Sequence, residues 1–128
     1  MSITLRIVNT DSLTTKERKT LNGLSIAKIF RKVLKYKNTK IAIAYDGDII
    51  IGWTGLIRNY SGCHYVLSVY VRKSYRGKRI GTTLVDFFIK EVAADKGINC
   101  LPRLEYPAGE KLFKKIKKLN KDKEIEIW

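Results

Sequence analysis

Several things are scarce in this chain of 128 residues, and each scarcity removes a class of protein. Cysteine occurs only as Cys63 and Cys100, far apart in strand-like runs and in neither a C-x-x-C pair nor a zinc-type spacing. Both are read as reduced and buried. The single histidine, His64, cannot build a metal site alone and reads as an ordinary strand residue, so no metal is expected. No apolar run approaches the ~20 residues that cross a bilayer, and the first residues lack a basic segment followed by a long apolar stretch. A cytoplasmic address with no membrane partner follows as the expectation. Repeats, flexible linkers and low-complexity stretches are missing apart from a lysine-rich segment at 111–123, so a single domain over 1–128 is expected. Acids are scarce too. Twelve Asp and Glu face 26 Lys and Arg, a formal net charge of +14. Such a field draws anionic ligands and opposes the approach of polycations.

What is present suits a folded domain with one core: 45% hydrophobic and 30% charged residues. Ile3, Leu5 and Ile7 alternate with Thr4, Arg6 and Val8 as in a strand, and residues 9–12 turn the chain. Thr14 and Glu17 fit a capping box with Leu13 as its hydrophobic staple, so a helix should begin near Thr15 and be interrupted at Asn22-Gly23. Ile26, Ile29, Phe30, Val33 and Leu34 then fall on one helical face. Residues 41–45 and 48–57 read as an antiparallel hairpin turning at Asp46-Gly47. A strand over 64–71 and a helix over 81–94, with Leu84, Val85, Phe88, Ile89 and Val92 at helical spacing, come next. Residues 98–104 suit a strand, Pro107 the first turn of a helix with an apolar stripe of Leu112, Phe113, Ile116 and Leu119, and 124–128 a last short strand. The order β-α-α-β-β-β-α-β-α-β predicts an α/β (α+β) domain, a mixed and mostly antiparallel sheet with helices on both faces.

The informative segment spans 69–84 and reads VYVRKSYRGKRIGTTL. It passes from a strand through a basic, glycine-bearing loop into a helix, which aims backbone N–H groups and the positive end of the helix dipole at an anion. Arg76, Lys78 and Arg79 add charge. A P-loop or a G-x-G-x-x-G dinucleotide turn would do the same, but neither pattern is present.

At these residues the chain resembles the GNAT superfamily of N-acetyltransferases, whose central motif is a V-x-V-like triplet ending a strand, a short linker, then [QR]-x-x-G-x-[GA] opening a helix. Here the second part reads Arg76-Gly77-Lys78-Arg79-Ile80-Gly81. The order of elements agrees over nearly the whole chain. The resemblance implies acetyl-CoA as acyl donor. Backbone groups of Val69 and Val71 would bond its pantetheine arm, amides of Arg76, Gly77, Lys78, Arg79, Ile80, Gly81 and Thr82 would hold its pyrophosphate, and Tyr70 would lie near the acetyl group. One departure is plain: Arg79 stands where the motif has its first glycine, so some close backbone approach would be lost.

Acetyl transfer from a thioester to an amine needs an uncharged acceptor nitrogen and a proton for the departing thiolate. Alignment of the two substrates supplies roughly 7–11 kcal/mol, against about 10²–10⁴-fold from a general acid or base. Many relatives carry a Tyr in the late helix as the acid. Phe113 holds the matching place here, leaving Tyr106 and Tyr70 as substitutes or as packing aromatics. Where some relatives have a base Glu, four residues before the V-x-V triplet, this chain has Tyr65, and a phenol of pKa ~10 is a poor base at neutral pH. Glu105 is the nearest carboxylate, and equally a surface residue.

The late lysines, Lys111, Lys114, Lys115, Lys117, Lys118, Lys121 and Lys123, with Arg58, Arg72 and Lys73, form either a solvated face or a docking surface. The field favours amines carried on anionic bodies, protein-borne or linked to RNA or DNA, over polyamines and aminoglycosides. The short C-terminal end implies an open acceptor side completed by a second subunit, as in a homodimer, or by the substrate itself. Two functions are therefore in view: an N-acetyltransferase acting on a primary amine, and a GNAT-like module without catalysis that binds nucleic acid or an acidic protein.

Overall fold

Alternation in the first strand, β1 (Ile3–Asn9), already separates two faces: Thr4 and Arg6 are exposed while Ile3, Leu5 and Ile7 pack inward. The computed structural model describes residues 2–24, 31–60, 63–91, 98–100 and 125–127. Along the chain β1 is followed by α1 (Thr15–Gly23), β2 (Lys40–Asp46), β3 (Ile49–Tyr60), β4 (Cys63–Val71), α2 (Ile80–Glu91), β5 (Ile98–Cys100) and β6 (Ile125–Ile127). The strands form one sheet in the order β1-β2-β3-β4-β5-β6. Pairing is antiparallel from β1 to β4 and parallel from β4 through β5 to β6. The expected mixed sheet, mostly antiparallel, is therefore what forms.

Helices cover both faces. Ala42, Ala44, Ile51 and Leu56 meet Leu84, Val85, Phe88 and Ile89 of α2 on one side. Ile41, Ile43, Ile50 and Trp53 meet Leu13, Leu21 and Leu24 from the α1 region, with Val33 and Leu34, on the other. Ile51 and Trp53 have the same parity along β3 and would share a face in a regular strand. A bulge separates them. Ala44 pairs with Gly52 and Tyr45 with Ile50, so Ile51 is the extra residue.

The α1 capping box forms as the sequence predicts: Glu17 N–H donates to Thr14 Oγ1 at 3.1 Å and Thr14 N–H to Glu17 Oε1 at 2.9 Å. The staple does not. The fourth helical residue, where its apolar partner belongs, is Arg18, and Leu13 packs instead in the cluster that holds Leu21. Arg18 donates to the carbonyls of Leu34 and Thr10, which fastens α1 to the 3₁₀ turn at Lys32–Lys35. The hairpin loop sits one residue later than expected, at Gly47 and Asp48, because Asp46 still pairs with Ile49.

The expected helix over 26–34 is described only in its last turn, which tightens to 3₁₀ geometry after Arg31. Ile26, Ile29 and Phe30, the strand residues 101–104, and the late helix with Leu112, Phe113, Ile116 and Leu119 lie outside the described residues. So do Tyr106, Glu105 and the late lysines.

Candidate functional site

Arg72 fixes which way the backbone of β4 faces. Its N–H donates to the Ile51 carbonyl at 2.7 Å and its Nε to the Ile50 carbonyl at 2.8 Å, pinning the end of β4 onto the bulge in β3. Backbone bonding alternates along an antiparallel pair, so Tyr70, two residues back, turns its N–H and C=O toward β3. Val69 and Val71 turn theirs the other way, to the edge that β5 occupies at Val66 and Leu67. The Val71 carbonyl confirms the direction: Arg76 Nε donates to it at 2.8 Å from outside the β3–β4 pair. Gly52 lets the two strands come this close, since a Cβ there would stand 2.6 Å from the Tyr70 carbonyl oxygen.

Side chains alternate as the backbone does. Val69 and Val71 pack against the α2 cluster, and Tyr70 against the α1 cluster with the Arg76 guanidinium 5.4 Å above its ring. Arg76 thus holds both a strand-end carbonyl and an aromatic face.

Between β4 and α2 the chain makes a 3₁₀ turn at Lys73–Tyr75, then crosses the left-handed region at Gly77 (φ 81°) and Arg79 (φ 63°). The second crossing bears on the expectation about the missing glycine. Arg79 adopts the glycine-type conformation, so the path of the backbone is kept and the cost is conformational strain. The Arg79 carbonyl accepts the N–H of Thr83 at 3.0 Å, the first bond of α2. The amides of Ile80, Gly81 and Thr82 precede it and have no acceptor within the helix. Ile80 is buried against α2's core partners, Gly81 and Thr82 are half-buried, and Gly77, Lys78 and Arg79 are exposed. No Asp or Glu occurs from residue 69 to residue 85. The junction therefore presents N–H donors and cations together, an arrangement suited to an anion.

A tether braces it from below. Tyr75 Oη donates to Asp46 Oδ2 at 2.7 Å, and Lys78 Nζ lies 5.6 Å from the Tyr75 ring centroid. The hydrogen bond to Asp46 pushes the Tyr75 phenol above its ordinary pKa. Burial pushes Tyr45, in the same hairpin, in the same direction.

Val69, Tyr70 and Val71 thus lie at the end of β4, and residues 76–82 in the loop that opens α2. Arg72, Tyr75 and Asp46 are the members that sequence reasoning missed; their partners lie more than twenty residues away, and no local pattern marks them. The backbone of Tyr65 in β4 pairs with Arg58 of β3; its side chain, like Tyr106 entirely, lies outside the described residues. Among the described residues no group of three or more His, Cys, Asp or Glu could hold a metal ion. No described helix is long and apolar enough to cross a membrane.

Residues 10–115 match the family model described as acetyltransferase (GNAT) family. The chain belongs to the GNAT acetyltransferase family. As a member it is an acetyl-CoA-dependent acetyltransferase. No curated protein sequence matches this GNAT chain significantly. Solved structures share its fold. A ribosomal-protein-alanine N-acetyltransferase from Brucella melitensis biovar Abortus is 18% identical with a TM-score of 0.61, covering 91% of each chain. The putative acetyltransferase yncA of Salmonella typhimurium, solved with acetyl-CoA, is 18% identical with a TM-score of 0.63, covering 91% of this chain and 79% of its own. An aminoglycoside acetyltransferase from an uncultured soil sample, solved with sisomicin, is 13% identical with a TM-score of 0.60, covering 90% and 87%.

Proposed function

We propose that this GNAT protein works as a single domain in the cytoplasm, moving the acetyl group of acetyl-CoA to a primary amine carried on a macromolecule, protein or nucleic acid. The observation that carries the donor site is the β4–α2 junction, where outward-turned backbone of Val69 and Val71 leads into the amides of Ile80, Gly81 and Thr82, which have no acceptor within the helix. In this reading Val69 offers N–H and C=O to the pantetheine arm and Val71 offers its N–H, the Val71 carbonyl being engaged by Arg76. The amides over 76–82 take the pyrophosphate, with Lys78 and Arg79 supplying charge. Tyr70 marks the strand between the two halves of the site.

Catalysis then rests mainly on alignment of thioester and amine along β4, worth roughly 7–11 kcal/mol. Tyr106 is proposed to protonate the departing thiolate. Tyr65 occupies the base position, and its phenol is too weak a base at neutral pH to do more than orient an amine that arrives uncharged. The macromolecular acceptor is supported by the net charge of +14, which opposes polyamines and aminoglycosides. An open acceptor side would be completed by the bound substrate or by a second copy in a homodimer.

The test is calorimetric titration with acetyl-CoA at about 0.15 M salt, with ATP and inorganic pyrophosphate as controls, followed by transfer of radiolabelled acetyl groups to protein, RNA and polyamine pools. Selective acetyl-CoA binding with label on protein or RNA supports the proposal. Equal binding of every polyanion overturns the donor site, and label confined to polyamines overturns the acceptor class.

A further inference from the structure

Away from the β4–α2 junction, the described residues build a second basic surface. The described residues of 10–24 and 31–40 hold eight Lys or Arg and two acids, Asp11 and Glu17. Both carboxylates are engaged by backbone amides, Asp11 Oδ2 by Asn38 N–H at 2.9 Å and Glu17 Oε1 by Thr14 N–H at 2.9 Å. The lysines are disposed outward by the geometry of their elements. Lys16 and Lys19 stand three apart on α1, opposite buried Leu21, and both are exposed. Lys32 and Lys35 stand three apart in the 3₁₀ turn, where such residues eclipse one another, while Val33 and Leu34 are buried beneath them. Lys37 and Lys40 continue the exposed series.

The two elements form one surface because Arg18 of α1 donates to Leu34 in the turn and to Thr10, and because Leu13, Leu21 and Leu24 share a core cluster with Val33 and Leu34. The Thr10 hydroxyl adds a second fastening, donating to the Tyr36 carbonyl at 2.7 Å and accepting the Thr39 N–H at 3.1 Å. The lysine heads are thus carried on a fixed frame.

We infer that this α1 face, through Lys16, Lys19, Lys32, Lys35, Lys37 and Lys40, docks the phosphate backbone of a nucleic acid. Among the described residues this surface offers charge without an apolar anchor, the exposed large hydrophobic there being Ile49 on the β2–β3 hairpin. A protein interface draws most of its energy from buried aromatic and apolar anchors. A polyphosphate backbone is held by cations and released counterions alone. Lysine, a point charge on a flexible stem, suits contacts that do not depend on base sequence. The inference deepens the proposed function, on which it rests for the acetyl transfer, by making nucleic acid the body that carries the acceptor amine.

The experiment measures anisotropy of a short fluorescein-labelled single-stranded RNA with the full chain from about 50 to 200 mM salt. The wild type should lose affinity linearly in log–log form. The quadruple variant K16Q/K19Q/K32Q/K35Q should lower that slope by about 3, and the separate pair K37Q/K40Q by about 1, at roughly 0.7 per single-strand contact. Circular dichroism and calorimetry with acetyl-CoA should be unchanged in both. Identical slopes for the wild type and both variants overturn the docking face, as does equal displacement of the RNA by polyglutamate, which would make the partner an acidic protein. Absent acetyl-CoA binding with the slopes as expected would instead strike the proposed enzymatic site and leave the docking face standing.

Discussion

The phenol of Tyr75 donates a hydrogen bond of 2.7 Å to the carboxylate of Asp46, joining the turn before α2 to the hairpin between β2 and β3. The two residues are 29 positions apart. Tyr75 also packs against the cluster containing Phe88 and Ile89, so the bond sets where the basic loop leaves the sheet. In Tyr75→Phe the ring stays and the tether is lost. Acetyl-CoA affinity should drop a few-fold in calorimetry with the circular dichroism spectrum unchanged, and Asp46→Asn, which keeps an acceptor, should fall between the two proteins.

The same tether predicts a pH dependence. The protonated phenol is the donor, and its pKa is raised above the ordinary ~10. A raised folded-state pKa gives stability that is fully present below the unfolded value and is lost as pH climbs through the folded one. The difference in melting temperature between wild type and Tyr75→Phe should hold through neutral pH and shrink above about pH 10. Tyrosinate absorbance of the wild type should contain one late-titrating phenol that the variant lacks.

Gly81→Asp places a Cβ and a carboxylate among the amides that open α2. Acetyl-CoA binding should fall below detection in calorimetry while the thermal melt stays cooperative. Undiminished affinity would remove the phosphate assignment from this helix start.

Arg79 at φ 63° carries the strain of a left-handed non-glycine residue, a cost of about 1–2 kcal/mol. Arg79→Gly relieves it and adds backbone entropy to the unfolded chain, so a net gain of about 0.5–1 kcal/mol in urea unfolding is expected. Acetyl-CoA binding should weaken at the same time if the guanidinium supplies charge to the phosphates, and that weakening should fade at high salt.

Gly52→Ala tests the close approach of β3 to β4. The new methyl would stand 2.6 Å from the Tyr70 carbonyl oxygen, and the strands must part to admit it. A loss of about 1–3 kcal/mol in urea unfolding is expected. Gly77→Ala is the comparison: space there is open and only the positive φ is strained, so a smaller loss should result.

Much of the fold was legible because its signals are local. The alternation of Ile3, Leu5 and Ile7, the Thr14–Glu17 capping box and the helical spacing of Leu84, Val85, Phe88 and Ile89 each declare an element within a few residues, and each is found in place. The loop at 76–82 was legible for the same reason, since a helix start and its cations are consecutive in the chain. The bulge was not: Ile50, Ile51 and Gly52 look like any buried strand, and only pairing with Ala44 and Tyr45 shows which residue is extra. The staple expected of Leu13 does not form, because the position of its partner holds Arg18, whose side chain serves the carbonyls of Leu34 and Thr10 instead.

By itself the sequence determined the order of the described strands and of the helices α1 and α2, the basic helix start and the excess of positive charge, all properties of neighbouring residues or of composition. The tertiary structure alone decided which edge of β4 Val69 and Val71 face, which carbonyl the Arg72 side chain holds, and that α1 is fastened to the turn at Lys32–Lys35. Hydrogen-bond direction, bulge position and tether geometry arise only when segments tens of residues apart are brought within bonding distance, and no local pattern encodes that meeting.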